Sequence, residues 1–183
     1  MIATNGEPGD NIAVVDGQNR FLRWTDRREV HGGRLPHRSV HVLIFDSAKR
    51  LVIQKRHRDK LTHPGCWDIS CTGHVEACDY PGAPDEELDQ VYAAVAQREL
   101  VEELGIDTPL EEIGRFAPEP GIHYEHLRLY SGHSDGPFTP QASEVEQIRR
   151  VSIPEWEALV AAREPVTESL AWFVRWAQQT GRW

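Results

Sequence analysis

The stretch Arg98-Glu99-Leu100-Val101-Glu102-Glu103-Leu104-Gly105-Ile106 sets three carboxylates at positions i, i+3 and i+4 and follows them with a glycine. On a helix, at about 100° per residue, Glu99, Glu102 and Glu103 project from one side. Ala93, Leu100 and Leu104 lie together on another, so the helix buries an apolar stripe and gathers three negative charges in a small volume. Like charges so spaced repel by roughly a few tenths of a kcal/mol per exposed pair. A cation among the carboxylates relieves that repulsion, and an all-oxygen ligand set selects a hard ion, magnesium or manganese, over zinc. The alternative is a solvated acidic helix face. Against it, the same nine residues also fix an arginine, a glycine and two aliphatic positions, a combination that ordinary composition rarely produces.

The elements around this helix are legible from pattern. Residues Arg38 to Phe45 are β-branched and aromatic, Asp46-Ser47-Ala48-Lys49 is a turn, and Arg50 to Lys55 returns, so a hairpin is predicted. A short third strand, Trp67 to Cys71, runs toward Gly73. The helix is expected from about Gln90 to Leu104, and further strands over Glu112 to Ala117, Tyr124 to Tyr130 and Gln147 to Ser152. Ser152-Ile153-Pro154-Glu155 is a capping box with proline in the first turn and opens another helix. Near the C-terminus, Leu170, Phe173 and Trp176 recur at helical spacing, which marks a core-facing stripe. Asn11 to Asp16 reads as an edge strand within an N-terminal extension over residues 1–30; one domain follows over 31–183.

Composition narrows the function classes. The 183 residues are enough for one domain with a real core. A net charge of −9 argues against a nucleic-acid backbone as the main partner. No apolar run reaches membrane-spanning length, and the first residues lack the basic and apolar regions of a secretory signal. The three cysteines, Cys66, Cys71 and Cys78, are odd in number and close together, which suits reduced thiols in a cytoplasm. With His74 they have C-x4-C-x2-H-x3-C spacing, which matches no common zinc finger.

The box from Arg98 to Ile106 resembles the second half of the Nudix hydrolase signature, G-x5-E-x7-R-E-U-x-E-E-x-G-U, where U is aliphatic. Gly73 best matches the opening glycine, but the distance from Gly73 to Arg98 is eleven residues too long. The extra segment, residues 79–89, clusters Pro and Gly as a surface loop does. Counting forward from Gly73 puts Asp79 in the place of the first glutamate; counting back from Arg98 puts Gln90 there. The resemblance implies an α/β class fold, the Nudix α/β/α sandwich with a mixed central sheet, and hydrolysis of a small diphosphate by water attack at phosphorus. It implies Mg2+, with Mn2+ as substitute, held by Glu99, Glu102, Glu103 and the carbonyl of Gly73 or its neighbour. Glu99 would be a ligand or the general base, Arg98 would orient the glutamates, and Glu144 and Glu146 are late-chain alternatives for the base. A homodimer is left open.

The region His37 through Val75 is also similar to the type I isopentenyl-diphosphate isomerases and to the hydrolases named for that likeness. The shared pieces are Arg56, Lys60, Pro64-Gly65-Cys66-Trp67, Gly73-His74, His31 and His37. By that resemblance Arg56, Lys60 and His37 belong to the substrate site, the two cations holding the diphosphate, and His37, His74 and His31 are positions at which the isomerases bind a metal. Two departures separate this chain from the isomerases. Their S-x-C-G-H motif reads Ser70-Cys71-Thr72-Gly73-His74 here, so Thr72 stands in place of the acid cysteine and Cys71 is one residue out of register. Their E-x-E pair is met by Tyr124-Glu125-His126, in which neither glutamate is expected to match. The helix box, by contrast, is intact. The expectation is therefore a magnesium-dependent Nudix hydrolase, with the isomerase and a non-catalytic nucleotide-binding Nudix domain as alternatives.

Overall fold

The computed structural model describes residues 11–183. The part of the N-terminal extension before Asn11 lies outside the described residues. Strand β1 (Asn11–Val15) pairs with β2 (Phe21–Asp26), which forms the outer edge, and touches the sheet at Val14–His37. A short helix α1 (Arg27–Gly33) starts at Asp26, whose side chain accepts from the Glu29 amide, and carries His31.

Strand β3 (His37–Phe45) is fully buried and organises everything else. Along one edge it pairs in parallel with β8 (Glu125–His133) over its whole length; β7 (Glu111–Phe116) lies antiparallel outside β8. Its other edge is shared: β6 (Cys71–His74) takes Ser39 to Val42, and β4 (Leu51–Arg56) takes only Ile44 and Phe45. Strand β4 then diverges to pair with β5 (Trp67–Asp68) and β9 (Val145–Val151). The expected hairpin thus exists only at its tip. The expected single strand from Trp67 to Cys71 is two, because β5 follows β4 while β6 follows β3. Ser70 sits in the fork, accepting from the Ile44 amide at 2.8 Å and donating to the Val52 carbonyl at 2.5 Å.

The sheet is covered on both faces. Under helix α2 (Leu88–Leu104) lie Val40, Val42 and Ile44 of β3 with Cys71, Tyr92, Val95, Ala96, Leu100 and Leu104. Ala93, expected in that stripe, is exposed; Tyr92, whose hydroxyl donates to the His126 carbonyl, occupies the sheet-facing place. Helices α3 (Ile153–Ala161) and α4 (Glu168–Gln179) cover the opposite face, over Leu43, Phe45, Leu127, Leu129, Leu170 and Phe173. Since side chains alternate along a strand, the even residues of β3 face α2 and the odd ones face α4. This is an α/β/α sandwich around a mixed sheet. Among the described residues no helix is long and apolar enough to cross a membrane.

Candidate active site

Helix α2 ends at Gly105, whose φ of +65° is a left-handed cap that favours glycine. Its last turns bring Glu99, Glu102 and Glu103 to one cavity of about 630 Å3, with Gly73, Arg98, Asp79, Lys60 and Glu144 on the other walls. Gly73 is required there by contact: a Cβ on it would fall inside the Glu99 side chain. Glu103 is buried and accepts from Gln54 Nε2 at 2.8 Å and from the Thr72 amide at 3.3 Å. Burial pushes its carboxyl up to about 7 against those two bonds. Burial, with Glu103, Glu102 and Glu76 nearby, pushes Glu99 up to about 8 although Arg98 opposes the shift. Glu102 is half exposed. Two carboxyls that burial holds above their ordinary range, against a bare glycine backbone, fit a divalent cation between them.

Arg98 braces this cluster. Its guanidinium meets Glu99 at 3.0 Å and Glu102 at 3.1 Å through Nη1, and Asp79 at 3.1 Å through Nη2. Asp79 also accepts from the Glu76 amide at 2.8 Å. Counting forward from Gly73 therefore finds the carboxylate that lies beside Arg98, and the added residues loop out beyond it. That loop is fastened by the fully buried Arg38, which donates to Asn19, Tyr80, the Pro84 carbonyl and Asp85.

The cations predicted to grip phosphate are engaged. Arg56 donates to Asp68 at 3.2 Å, to the Thr62 carbonyl at 3.0 Å and to the Thr62 hydroxyl at 3.1 Å. Lys60 is ion-paired with Glu144, and Arg58 with Glu146. Arg56 and Lys60 both line the carboxylate cavity, and Glu144 shares it while Glu146 does not.

A second cavity, of about 530 Å3, lies across Thr72, Gly73 and His74, which line both. Strand register builds it. His37, Ser39 and His41 are the odd residues of β3; Thr72 and His74 are opposite His41 and Ser39 on β6; Glu125 is opposite His37 on β8. All point to the α4 face, and His31 from α1 and His123 from the β7–β8 connection close over them. Ligand atoms of His37, His74 and Glu125 lie within 4.8 Å of one another. His37 Nδ1 donates to the Leu35 carbonyl at 2.8 Å, and its Nε2 lies 3.6 Å from the Glu125 carboxylate. His41 Nε2 is 3.7 Å from the same carboxylate. Burial alone would raise Glu125, but His37 beside it, then His41 and His74, hold it well below the usual carboxylate range. Burial, then His37 and Arg27, drives His74 far below an ordinary histidine. The unpartnered Nε2 atoms of His37 and His74, aimed at one carboxylate, could hold a borderline transition ion.

Glu125, which the sequence reading leaves out of the site, stands among these histidines. Its membership, and that of His41 and His123, follows from the parallel pairing of β3 with β8. The alternation His37-x-Ser39-x-His41 in a predicted strand is the one sequence signal that bears on it. Cys71 faces the opposite way from Thr72, into the core under α2, where burial and then Glu103 and Glu99 push its thiol far up. The three thiols are free.

The NUDIX domain model matches residues 35–176. An uncharacterised Nudix hydrolase of Pseudomonas aeruginosa is 40% identical over 140 residues, 75% of this chain and 76% of that one. An isopentenyl-diphosphate delta-isomerase of Photorhabdus laumondii is 26% identical over 154 residues, 81% of each chain. In fold, a crystal structure of a Deinococcus radiodurans protein superposes with a TM-score of 0.71 at 19% identity, covering 90% of this chain and 97% of that one.

Proposed function

Since this chain belongs to the NUDIX family and is by kinship a Nudix hydrolase, we propose that it cleaves a diphosphate linkage in a small molecule with magnesium or manganese. The observation that carries this is the meeting of Glu99, Glu102 and Glu103 with the Gly73 backbone in one cavity. Those four would hold the ion, which supplies neutralisation of the diphosphate oxygens. Arg98 and Asp79 keep the carboxylates at their stations. Lys60, at the cavity rim, turns to an incoming phosphate in preference to a lone carboxylate, since phosphate carries more charge. Glu144, so released, accepts a proton from the attacking water; Glu99 is the alternative base. Arg56, anchored by Asp68 and Thr62, presents a fixed positive charge to both cavities.

The experiment is phosphate release from a panel of nucleotide sugars, dinucleotides, coenzyme A derivatives and isoprenoid diphosphates, with and without magnesium. Turnover that chelator abolishes supports hydrolysis. Absence of turnover across the panel, with nucleotide binding retained, supports a non-catalytic domain instead.

The histidine cavity and Glu125 favour a second reading, isopentenyl-diphosphate isomerisation. That chemistry needs an acid at the reacting carbon. Thr72 occupies the place, and a threonine hydroxyl is far too weak an acid to protonate an alkene. Hydrolysis is the better supported of the two.

A further inference from the structure

The histidine cavity has polar atoms that the candidate ion does not account for. Ser39, 2% exposed, has a hydroxyl with no hydrogen-bond partner. His123, 6% exposed, accepts from the Glu125 amide at its Nδ1, so its Nε2 carries the proton and that N–H is unpartnered too. Buried polar groups in folded proteins are almost always satisfied, and two orphans lining one cavity mark a place where a ligand completes them. Ser169, at the start of α4, adds a second hydroxyl, 3.4 Å from His41 Nδ1.

The two carboxylates nearest these atoms already have partners. Asp68 is met by Arg56 and by the Thr167 hydroxyl at 2.8 Å, and Glu125 by His37 and His41. Arg34, on the rim, lies over the Tyr124 ring. What Ser39, Ser169 and His123 offer to a ligand is neutral: two hydroxyls that donate and accept, and one imidazole N–H that donates. A carboxylate or further phosphate would find two guanidiniums there, Arg56 held by Asp68 and Thr62 and Arg34 over the Tyr124 ring. An alkyl or isoprenoid chain would seal Ser39 and His123 away from water without partners. A group bearing several hydroxyls satisfies all three, because each hydroxyl both donates and accepts.

We propose that the histidine cavity is the subsite for the non-phosphate partner of the diphosphate, and that this partner is a polyhydroxylated group, a sugar or polyol, held by Ser39, His123 and Ser169. The proposal rests on the hydrolase reading for its orientation: the diphosphate lies over the carboxylate helix, and the shared wall at Thr72 to His74 lets its ester group pass into the second cavity.

The test compares ADP-glucose with ADP ethyl ester, and the two UDP counterparts, on the full chain with magnesium. The hexose esters should exceed the ethyl esters in kcat/KM by about tenfold or more, the worth of one to two neutral hydrogen bonds. Ser39→Ala and Ser169→Ala should each shrink that ratio by about three- to tenfold. A ratio near one in the wild type, or one that survives both variants, overturns the proposal. Titration calorimetry of the same four compounds on the Glu103→Gln chain separates the subsite from the hydrolysis. If the wild type cleaves none of them yet the Glu103→Gln chain binds the hexose esters more tightly, the hydrolysis falls and the subsite stands. Equal binding of both kinds of ester refutes the subsite whatever the turnover.

Discussion

Adding one methyl group at Gly73 should disable the carboxylate cluster. A Cβ there would overlap Cγ, Cδ and Oε1 of Glu99 at once, and no backbone atom is among its three nearest neighbours. The Glu99 side chain must therefore swing away by on the order of 1 Å or more, and misplacement of that size costs about a hundredfold in rate. Glu99 is a long side chain beside a cavity, so the stability loss should stay near the lower end of the roughly 1–3 kcal/mol typical of overpacking. For Gly73→Ala we expect kcat to fall about a hundredfold and the affinity for Mn2+, followed by the free-ion signal in electron paramagnetic resonance, to fall with it. The double variant Gly73→Ala/Glu99→Ala is the decisive comparison. If the methyl acts through Glu99, the double variant is no worse than Glu99→Ala alone. Additive losses, or undiminished Mn2+ affinity in Gly73→Ala, would show that the glycine does not serve the carboxylates.

Glu103→Gln, which removes a charge and little volume, should lower turnover by two or more orders of magnitude while leaving the melting temperature near that of the wild type; full activity would remove Glu103 from the metal site. Asp79→Ala should strip Arg98 of one of its three carboxylate partners and reduce both stability, by about 1–3 kcal/mol, and turnover; thermal unfolding and kinetics read the two, and an unaffected rate would make Asp79 a purely structural residue. Ser70→Ala leaves the Ile44 amide and Val52 carbonyl unpaired in the core, so melting should drop by roughly 4–12 °C with magnesium-dependent turnover at permissive temperature retained. Isopentenyl diphosphate incubated with the protein in heavy water should take up no carbon-bound deuterium by mass spectrometry, and Cys71→Ser, which keeps a hydrogen-bonding group beside Glu103, should hydrolyse the true substrate at nearly the wild-type rate; uptake that Cys71→Ser abolishes would favour the isomerase.

The carboxylate box was legible because it is local. Glu99, Glu102 and Glu103 share a helix face, and i, i+3 and i+4 spacing needs no knowledge of the rest of the chain. Gly73 lies eleven residues off the signature's spacing to that box, and the steric reason for a glycine there appears only when β6 is laid under α2. The histidine cavity is non-local. His37 and Glu125 are register partners 88 positions apart, and the parallel pairing that joins them leaves no trace in a single sequence. The division into β5 and β6 is hidden for a similar reason: the break at Ser70 is set by the fork between β3 and β4, not by any turn residue of its own. Asp79 is an intermediate case: the count forward reaches a carboxylate that pairs with Arg98, while the added loop carries the count back to a different residue.

Arg38 joins two segments that the chain separates by some sixty residues. Its guanidinium is wholly enclosed by Asn19, from the β1–β2 connection, and by Tyr80, Pro84 and Asp85 of the added loop; Asp85 also accepts from the Phe21 amide. A longer loop by itself adds little closure entropy, about 0.6 kcal/mol per doubling, so length is no barrier to transplanting it. The enclosed arginine is. Grafted alone onto a relative with a compact signature, the loop would arrive without its counterpart, and removed alone it would strand a cation in the interior. The hairpin and the loop therefore travel as one cassette in chimeras of this scaffold, with Arg38 as the socket into which both halves fit.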